Sequence, residues 1–416
     1  MTERREAPET GARPTVDAEI CVIVPTIREW ECVRDYVANA RDHGFETDRL
    51  HFVLVTEGFC DTDAMREMLT GLGVSGRVFD GAARDAWFTD HGLSAYDHLI
   101  PAASHAQTSF GLLYLWAEGY ELGLFIDDDT RPHDDVDFFG RHMSNLGYEG
   151  ELPAYASDEQ WVNVLGQNVD DHGLYPRGYP YSAMDETTTE STVDVDRGAV
   201  VASQGLWTNV PDLDAVRILM DGDLQGQAET RTTADDYGED FLAARGNYLT
   251  VCSMNLAFRR EVVPAFYQFP MDDNPWAVGR FDDIWSGLLL KRAVDLLDRR
   301  IYNGRPLCRH DKAPRSTFGD LTNEVPGLEL NEHVWEVIDD AEPETIPEDT
   351  TAAYRAVTSA VADALADGSF EDWENGEFLN YCGEYLRDWL DCLAALDGEE
   401  PRPVAARDAA APATDD

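Results

Sequence analysis

The chain has 416 residues and a formal net charge of −49 at pH 7, with 81 acidic residues against 32 lysines and arginines. Its hydrophobic content of 43% is enough for a sizeable core, so we expect a folded protein with an extremely acidic surface. That surface argues against nonspecific binding to nucleic acid or to anionic membranes. Lys291 and Lys312 are the only two lysines. A high-salt cytoplasm, which screens charge repulsion, explains this usage, and a GC-rich genome is the alternative explanation. We expect a halophilic, cytoplasmic protein.

The seven cysteines are scattered and none belongs to a C-x-x-C pair, so we expect buried free thiols and neither disulfides nor a zinc site. We expect no signal peptide, and no apolar run is long enough to cross a bilayer. Their composition predicts disordered tails at residues 1–17 and 399–416.

Short apolar runs alternate with helical patterns over the first part of the chain. Strands are predicted at residues 19–24, 51–56, 78–79 and 122–126. Helices are predicted from residue 30, over 61–72 with Asp61 or Thr62 as the N-cap, and over 104–118. This alternation indicates an α/β fold with a mostly parallel sheet flanked by helices. The glycine motifs of dinucleotide-binding Rossmann folds and of P-loop NTPases do not occur, which disfavours both classes.

Polar side chains follow three of the predicted strands. Thr26 and Arg28 come after the first strand, Glu57 after the second, and residues 127–129 after the strand at 122–126. Open α/β sheets bind ligands at the carboxyl ends of their strands. The sequence therefore predicts a binding site at this edge of the sheet.

Three consecutive acids, Asp127, Asp128 and Asp129, end the buried strand abruptly. Burying carboxylates is costly unless they are paired or bound to a metal. Asp127 and Asp129 are spaced to point the same way, and such a pair of oxygen ligands suits a divalent cation that holds a phosphate. In so acidic a chain, a solvated acidic turn is the alternative interpretation.

The segment from about 150 to 245 is irregular and rich in aromatic residues, glycine and proline. Arg177 lies there between proline and glycine and among three tyrosines. Such loops often shape a pocket, and an ordinary surface cation is the alternative for this arginine. A further strand is predicted over residues 248–258.

A strongly periodic helix is predicted to open within residues 279–287 and to run to about Arg299. Asp282 and Asp283 fall in its first turn. There they either complement the helix dipole or serve as a base or as acceptors for sugar hydroxyls. Lys291 is interpreted as a solvated residue on this helix.

His310 lies two residues from Lys312. A compact lysine cation in a chain that otherwise uses arginine suggests a phosphate partner. A structural role is the alternative for the lone histidine. From about 330 to 397, apolar residues at helical spacing predict an acidic α-helical extension with no catalytic pattern.

Together these segments resemble the reversibly glycosylated polypeptides, which include the plant UDP-arabinopyranose mutases and are classed with the GT-A glycosyltransferases. The resemblance covers about residues 20–320. It rests on the segments Val24–Arg28, Phe125–Asp129, Arg177–Pro180, Gly205–Trp207 with Asn209, Pro211 and Asp212, Met254–Phe258, Gly279–Arg280 with Asp282, Asp283 and Trp285, and on His310 with Lys312.

The resemblance implies a GT-A-like catalytic domain at 18–325 that binds a UDP-sugar through a divalent metal, usually Mn²⁺ or Mg²⁺. The helical pattern described above places the extension after this domain, at 326–398. The D-x-D acids Asp127, Asp128 and Asp129 would hold the metal on the diphosphate. His310 falls where GT-A enzymes often place a third ligand.

The resemblance also assigns roles around the nucleotide and the sugar. Thr26, Arg28 and Glu57 would lie near the uridine. The family's reversibly glycosylated arginine corresponds to Arg177. The remaining catalytic candidates are those that would contact the sugar or the departing UDP: Asp282, Asp283 and Lys312.

This chain departs from the family in ways that leave the identity of the sugar open. It has Thr130 where the family usually has cysteine, and Glu57 where the family has aspartate. The helical extension has no evident counterpart there.

Three functions are compatible with this pattern. The first is a mutase that interconverts the pyranose and furanose forms of a UDP-sugar such as UDP-arabinose, through metal-assisted reversible cleavage of the sugar–UDP bond. The second is a metal-dependent glycosyltransferase acting on a glycan, lipid or protein acceptor, including itself. The third is a non-catalytic UDP-sugar-binding subunit. We expect an enzyme that forms a homo- or hetero-oligomer and has no integral membrane segment.

Overall fold

The computed structural model describes residues 15–28, 30–102, 104, 106–166, 173–271 and 274–399. Most of the two predicted disordered tails lies outside these residues.

The described residues form eleven strands and ten α-helices. The strands are β1 (Ile20–Pro25), β2 (Leu50–Val55), β3 (Ser75–Phe79), β4 (Leu122–Ile126), β5 (Thr130–Pro132), β6 (Gly150–Ser157), β7 (Thr188–Val195), β8 (Val200–Asn209), β9 (Leu242–Ala243), β10 (Asn255–Arg259) and β11 (Arg300–His310). The helices are α1 (Cys32–Asp42), α2 (Thr62–Leu72), α3 (Gly81–Asp90), α4 (Gln107–Glu118), α5 (Phe138–Leu146), α6 (Ala215–Met220), α7 (Asp282–Leu296), α8 (Thr317–Asp340), α9 (Thr350–Ala366) and α10 (Glu377–Leu396).

Eight strands form one sheet in the order β3-β2-β1-β4-β10-β8-β11-β5, and β7-β6-β9 form a smaller one. In the large sheet the pairs β3–β2, β2–β1, β1–β4 and β8–β11 are parallel. The pairs β4–β10, β10–β8 and β11–β5 are antiparallel. The predicted α/β class is confirmed: a mostly parallel sheet is flanked by helices, and an α-helical extension follows it.

Strand β4 lies inside the sheet between β1 and β10, and all five of its residues are buried. Its bounds are those predicted from the apolar run. Gly123 allows Phe258 and Leu115 to pack close to the strand, because a Cβ atom there would lie 2.3 Å from the Phe258 ring and 2.7 Å from Leu115. The acid triplet begins directly after this strand.

The predicted strand at 248–258 is wrong in its first half, because only Asn255–Arg259 form β10. The side chain of Gln204 takes the place of a neighbouring strand for the preceding residues. It donates to the carbonyl oxygen of Thr250 at 3.0 Å and accepts from the backbone nitrogen of Cys252 at 2.9 Å. A side-chain amide can satisfy buried backbone groups in this way, and apolar alternation does not reveal it.

Lys291 is not solvated, contrary to the prediction. Its side chain is 2% exposed, and its ammonium group donates to Asp295 and to the carbonyl oxygen of Ala244. Helix α7 is covered on nearly all sides, with twelve of its fifteen residues buried. Neighbouring elements therefore bury polar residues of α7, such as Lys291, as well as apolar ones.

The C-terminal helices pack against the sheet domain. Trp389 of α10 donates to the carbonyl oxygen of Val263 at 3.3 Å and stacks on Tyr267 with ring centroids 4.9 Å apart. Helix α8 begins at Thr317 and runs across the predicted domain boundary at 325/326.

No helix among the described residues is long and apolar enough to cross a membrane. All seven cysteines are unpaired and all but Cys60 are buried, as predicted.

Candidate functional site

Two adjoining cavities open at the carboxyl ends of β1, β2 and β4. We call the first, of about 260 Å³, the Thr26 cavity. We call the second, of about 150 Å³, the Arg177 cavity. The two share the wall residues Pro25, Asp127, Asp129 and Arg315. They therefore meet at the acid triplet.

The structure brings every predicted site residue to one of these cavities. Asp127 and Asp129 line both cavities. The others that line the Thr26 cavity are Thr26, Arg28, Glu57 and Asp128. The others that line the Arg177 cavity are Arg177, Asp282, Asp283, His310 and Lys312. A larger cavity of about 590 Å³ lies along β3 at the edge of the sheet, and no predicted site residue lines it.

Hydrogen bonds hold the turn that carries the acid triplet. The backbone nitrogen of Asp127 donates to the carbonyl oxygen of Met254 at 3.2 Å. The hydroxyl of Thr130 donates to the carbonyl oxygen of Asp127 at 2.8 Å. Thr26, at the end of β1, donates through its hydroxyl to Asp128 at 2.8 Å. The turn after β4 and the end of β1 are thereby joined.

The first and third acids have opposite electrostatic surroundings. Burial raises the pKa of Asp127 well above its ordinary value, and repulsion from Asp129 and Asp283 raises it further. Burial also acts to raise the pKa of Asp129, but its contacts with His310 and the charge of Arg315 outweigh burial and lower that pKa. The charged form of Asp127 is thus disfavoured unless a positive charge binds beside it.

His310 is oriented as metal-binding histidines commonly are. Its Nδ1 lies 2.7 Å from the carbonyl oxygen of Val210, which can only accept, so Nδ1 carries the proton and donates it. Nε2 then faces Asp129, 3.7 Å from its Oδ2 atom. A backbone carbonyl that fixes the histidine tautomer is the usual outer partner of a metal ligand. The Nε2 atom of His310 and the carboxylate of Asp129 are therefore suitable ligand atoms for a divalent cation.

The described side chains do not form a closed metal site. Among the residues that the structure describes, no three histidine, cysteine or acidic side chains gather closely enough to hold a metal ion. Mg²⁺ in nucleotide sites typically takes one or two carboxylates and completes its coordination with substrate phosphates and water. The acid pair and His310 fit that incomplete arrangement.

Arg177 is buried, and its three guanidinium nitrogens are all engaged. Nε and Nη2 contact Asp212 at 3.1 and 3.0 Å. Nη1 and Nη2 donate to the two oxygens of Asp283 at 3.1 and 3.2 Å. Nη1 also donates to the carbonyl oxygen of Arg280. Burial disfavours the charged form, yet Asp212 and Asp283 outweigh it and raise the pKa of Arg177 well above its ordinary value. The group is a fixed cation.

The two acids at the start of α7 therefore differ. Asp283 is bound to Arg177 through both of its oxygens, and the thiol of Cys252 donates to it at 3.6 Å. Asp282 lines the Arg177 cavity beside it. The N-terminus of α7 has no side-chain cap, because its N-cap residue is Phe281, whose side chain cannot accept a hydrogen bond.

Sequence reasoning assigned no role to three charged residues of the Arg177 cavity: Asp212, Arg280 and Arg315. Asp212 and Arg280 stand inside segments that carry the family resemblance, which was the available signal. Asp212 is surrounded by cations, and Arg177 and Lys312 outweigh burial to lower its pKa. Arg315 has no local pattern that marks it.

Lys312 is buried in the wall of the Arg177 cavity. Burial lowers its pKa to about 8, and the nearby cations Arg315 and Arg280 act in the same direction, while Asp212 opposes the shift. The cations Lys312, Arg280 and Arg315 all line this cavity. Such a group fits a ligand with more than one negative charge.

Glu57 is held by protein partners rather than being oriented towards solvent. Its Oε1 atom lies 3.0 Å from Nη2 of the buried Arg84 and accepts from the side-chain amide of Gln107. Glu57 lines the Thr26 cavity, and its carboxylate belongs to a buried network there.

Comparison with known proteins assigns the family. The model of the family "Reversibly glycosylated polypeptide" matches residues 114–378, which is more than half of the chain. The chain belongs to this family. The match extends past the predicted boundary at 325/326 and includes much of the helical extension.

Relatives within curated proteins include two from Solanum tuberosum. Probable UDP-arabinopyranose mutase 2 is 29% identical over 223 residues, which are 53% of this chain and 52% of that protein. The aligned part is thus about half of that relative's length. Probable UDP-arabinopyranose mutase 1 is 24% identical over 416 aligned positions, covering 93% of this chain and 97% of that protein.

Among solved structures, a mannosyltransferase from Pyrobaculum calidifontis in complex with GDP-Man and Mn²⁺ matches with a TM-score of 0.40 and 14% identity. The match covers 95% of this chain and 92% of that one.

Proposed function

We propose that this protein is a nucleotide-sugar mutase that interconverts the pyranose and furanose forms of a UDP-sugar of the UDP-arabinose type. In a GT-A-like arrangement, the nucleoside would occupy the Thr26 cavity and the sugar the Arg177 cavity. One observation carries the proposal: the two cavities meet at Asp127, Asp129 and Arg315, where a diphosphate that links nucleoside to sugar would lie. Membership of the family and the names of the relatives support it.

The chain offers both anionic and cationic groups to the diphosphate. Asp127, Asp129 and His310 would hold a divalent metal, Mn²⁺ or Mg²⁺, which when bound neutralises phosphate charge and stabilises UDP as a leaving group. Lys312 and Arg315 line the same cavity and would add positive charge beside the diphosphate. Cleavage of the C1–O bond sends the bonding electron pair to the β-phosphate oxygen, next to these cations.

Ring interconversion requires proton exchange within the sugar. After UDP departs, the 4-hydroxyl of a pyranose adds to C1 and releases its proton. The ring oxygen takes up a proton as its own bond to C1 breaks, and UDP recaptures C1 in the furanose form. Asp282 lines the Arg177 cavity at the start of α7, and we assign it as the carboxylate that carries this proton.

Arg177 has a positioning role in this scheme. Its nitrogens are engaged with Asp212, Asp283 and the Arg280 carbonyl, and a protonated guanidinium has no lone pair for bond formation. Arg177 neutralises Asp212 and Asp283, and it fixes the wall of the sugar cavity. The Arg177 cavity, at about 150 Å³, is the smaller of the two, which favours a reaction within one sugar over transfer to a large acceptor.

The test is an incubation of the purified protein with a panel of UDP-pyranoses and UDP-furanoses, at high salt with Mn²⁺ and without an acceptor. Chromatography of the nucleotide sugars should show the other ring form of at least one of them. Asp282→Asn should abolish this conversion, whereas Glu371→Gln, at an exposed position of the helical extension, should not change it. Turnover only with an added glycan, lipid or protein acceptor would identify a glycosyltransferase instead.

A further inference from the structure

Two apolar side chains stand exposed at the rim of the Thr26 cavity. Phe59 is 75% exposed and Ile27 is 44% exposed, and both line this cavity. Phe59 follows β2 and Ile27 follows β1, and these strands are parallel neighbours, so the two side chains lie at the same edge of the sheet. A flat aromatic ligand at this rim would cover both and stack on the phenyl ring.

The wall of the same cavity carries an amide whose orientation is fixed. The side-chain nitrogen of Gln107 donates to Glu57, whose carboxylate is also paired with the buried Arg84. Arg84 is itself anchored, because it donates to the carbonyl oxygen of Thr56 at 2.6 Å. A carboxylate only accepts, so the amide nitrogen of Gln107 must face Glu57. The carbonyl oxygen of Gln107 is thereby turned away from this pair and is a fixed acceptor.

An acceptor at this place distinguishes among flat heterocycles. Uracil presents an N3–H donor between two carbonyl oxygens. Cytosine presents an unprotonated N3 at the same position. The Gln107 oxygen would form a hydrogen bond with uracil, whereas two acceptors would face each other with cytosine. A polar pair that is left unmatched in a buried site lowers affinity strongly.

We propose that Gln107, oriented by Glu57 and Arg84, selects uracil by accepting its N3–H, and that Phe59 and Ile27 cover the ring of the base. The inference rests on the proposed function, which places a nucleoside diphosphate in this cavity. It adds the residues that read the base.

The experiment measures the Kd of UDP and of CDP by titration calorimetry at constant salt and Mn²⁺ concentration. We expect the wild-type protein to bind UDP at least tenfold more tightly than CDP. Phe59→Ala should weaken the binding of both nucleotides by about 5- to 100-fold, as the loss of one base-stacking contact does. Gln107→Leu should remove the preference for UDP. The matched control is Met220→Ala, which truncates a residue that is 81% exposed on α6 and should leave both affinities unchanged.

Each outcome decides a separate point. Equal affinities of the wild type for UDP and CDP would overturn the selection of uracil, and this comparison needs no variant that might misfold. Unchanged affinities in Phe59→Ala, whose side chain is exposed, would overturn the stacking contact. If the wild type binds neither nucleotide, the proposed function itself fails.

Discussion

Removing the positive charge of Arg177 should destabilise the whole protein, because this side chain neutralises two buried carboxylates. Arg177→Met keeps much of the side-chain volume but removes the cation that contacts both Asp212 and Asp283. Arg177 is only 8% exposed, so solvent screens little of the loss. Breaking a buried ion pair by removing one partner costs about 3–5 kcal/mol, and we expect the free energy of unfolding to fall by that amount.

The measurement is equilibrium unfolding in denaturant at high salt, for the wild type and for two variants. The matched control is Arg34→Met, which removes an arginine that pairs with Glu31 at 3.4 Å on the surface. The side chains of that pair are 49% and 65% exposed, and such pairs contribute about 0–1 kcal/mol. The difference between the two variants reports the burial of the Arg177 cluster.

A double variant tests the electrostatic cause. Asp283→Asn in the Arg177→Met background removes one of the two buried carboxylates that lost their arginine partner, so part of the lost stability should return. A loss below about 1 kcal/mol in the free energy of unfolding of Arg177→Met would refute the reasoning.

Peptide mapping of protein that was quenched during turnover gives a second readout. A sugar attached to Arg177 would show that the guanidinium leaves its carboxylate partners and acts as a nucleophile.

Three further substitutions probe other parts of the chain. Lys312→Met should weaken UDP binding about tenfold or more, measured by calorimetry, because a buried cation that faces the diphosphate is lost; unchanged binding would remove the lysine from the site. Lys291→Met should lower the free energy of unfolding by about 3 kcal/mol, and Asp295→Asn in addition should restore part of it, since the pair is buried. Gly178→Ala should lower the melting temperature, because the backbone there has φ of +87° and the new Cβ would lie 2.4 Å from Ile284; a melting temperature equal to that of the wild type would contradict the packing.

The parts of the site that were predictable are those that local sequence encodes. Strand β4 and the acids after it form one contiguous pattern, and the structure places Asp127 and Asp129 between both cavities. Thr26 and Glu57 follow neighbouring strands, and parallel pairing brings such residues together at one edge.

The parts that were not predictable depend on distant partners. The segment before β10 does not pair as a strand, and its backbone groups at Thr250 and Cys252 bond instead to the side chain of Gln204. The environment of Lys291 is set by elements that cover α7 from several sides, so helical periodicity gives the wrong answer. Arg315 reaches both cavities only through its position in the folded chain.

Helix α8 connects the helical extension to the site. Asp320 and Glu324 lie one turn apart on this helix and hold two arginines of the Arg177 cavity. Arg280 contacts Glu324 at 2.6 Å and Asp320 at 3.3 Å, and Arg315 contacts Asp320 at 2.7 Å. A boundary at 325/326 would therefore separate the first turns of α8 from the rest of a helix that orients site residues. The family match, which continues to residue 378, agrees with a unit in which the sheet and these helices are built together. Among the described residues, none after Arg315 lines either cavity, so helix α8 reaches the site through Asp320 and Glu324, which hold Arg280 and Arg315.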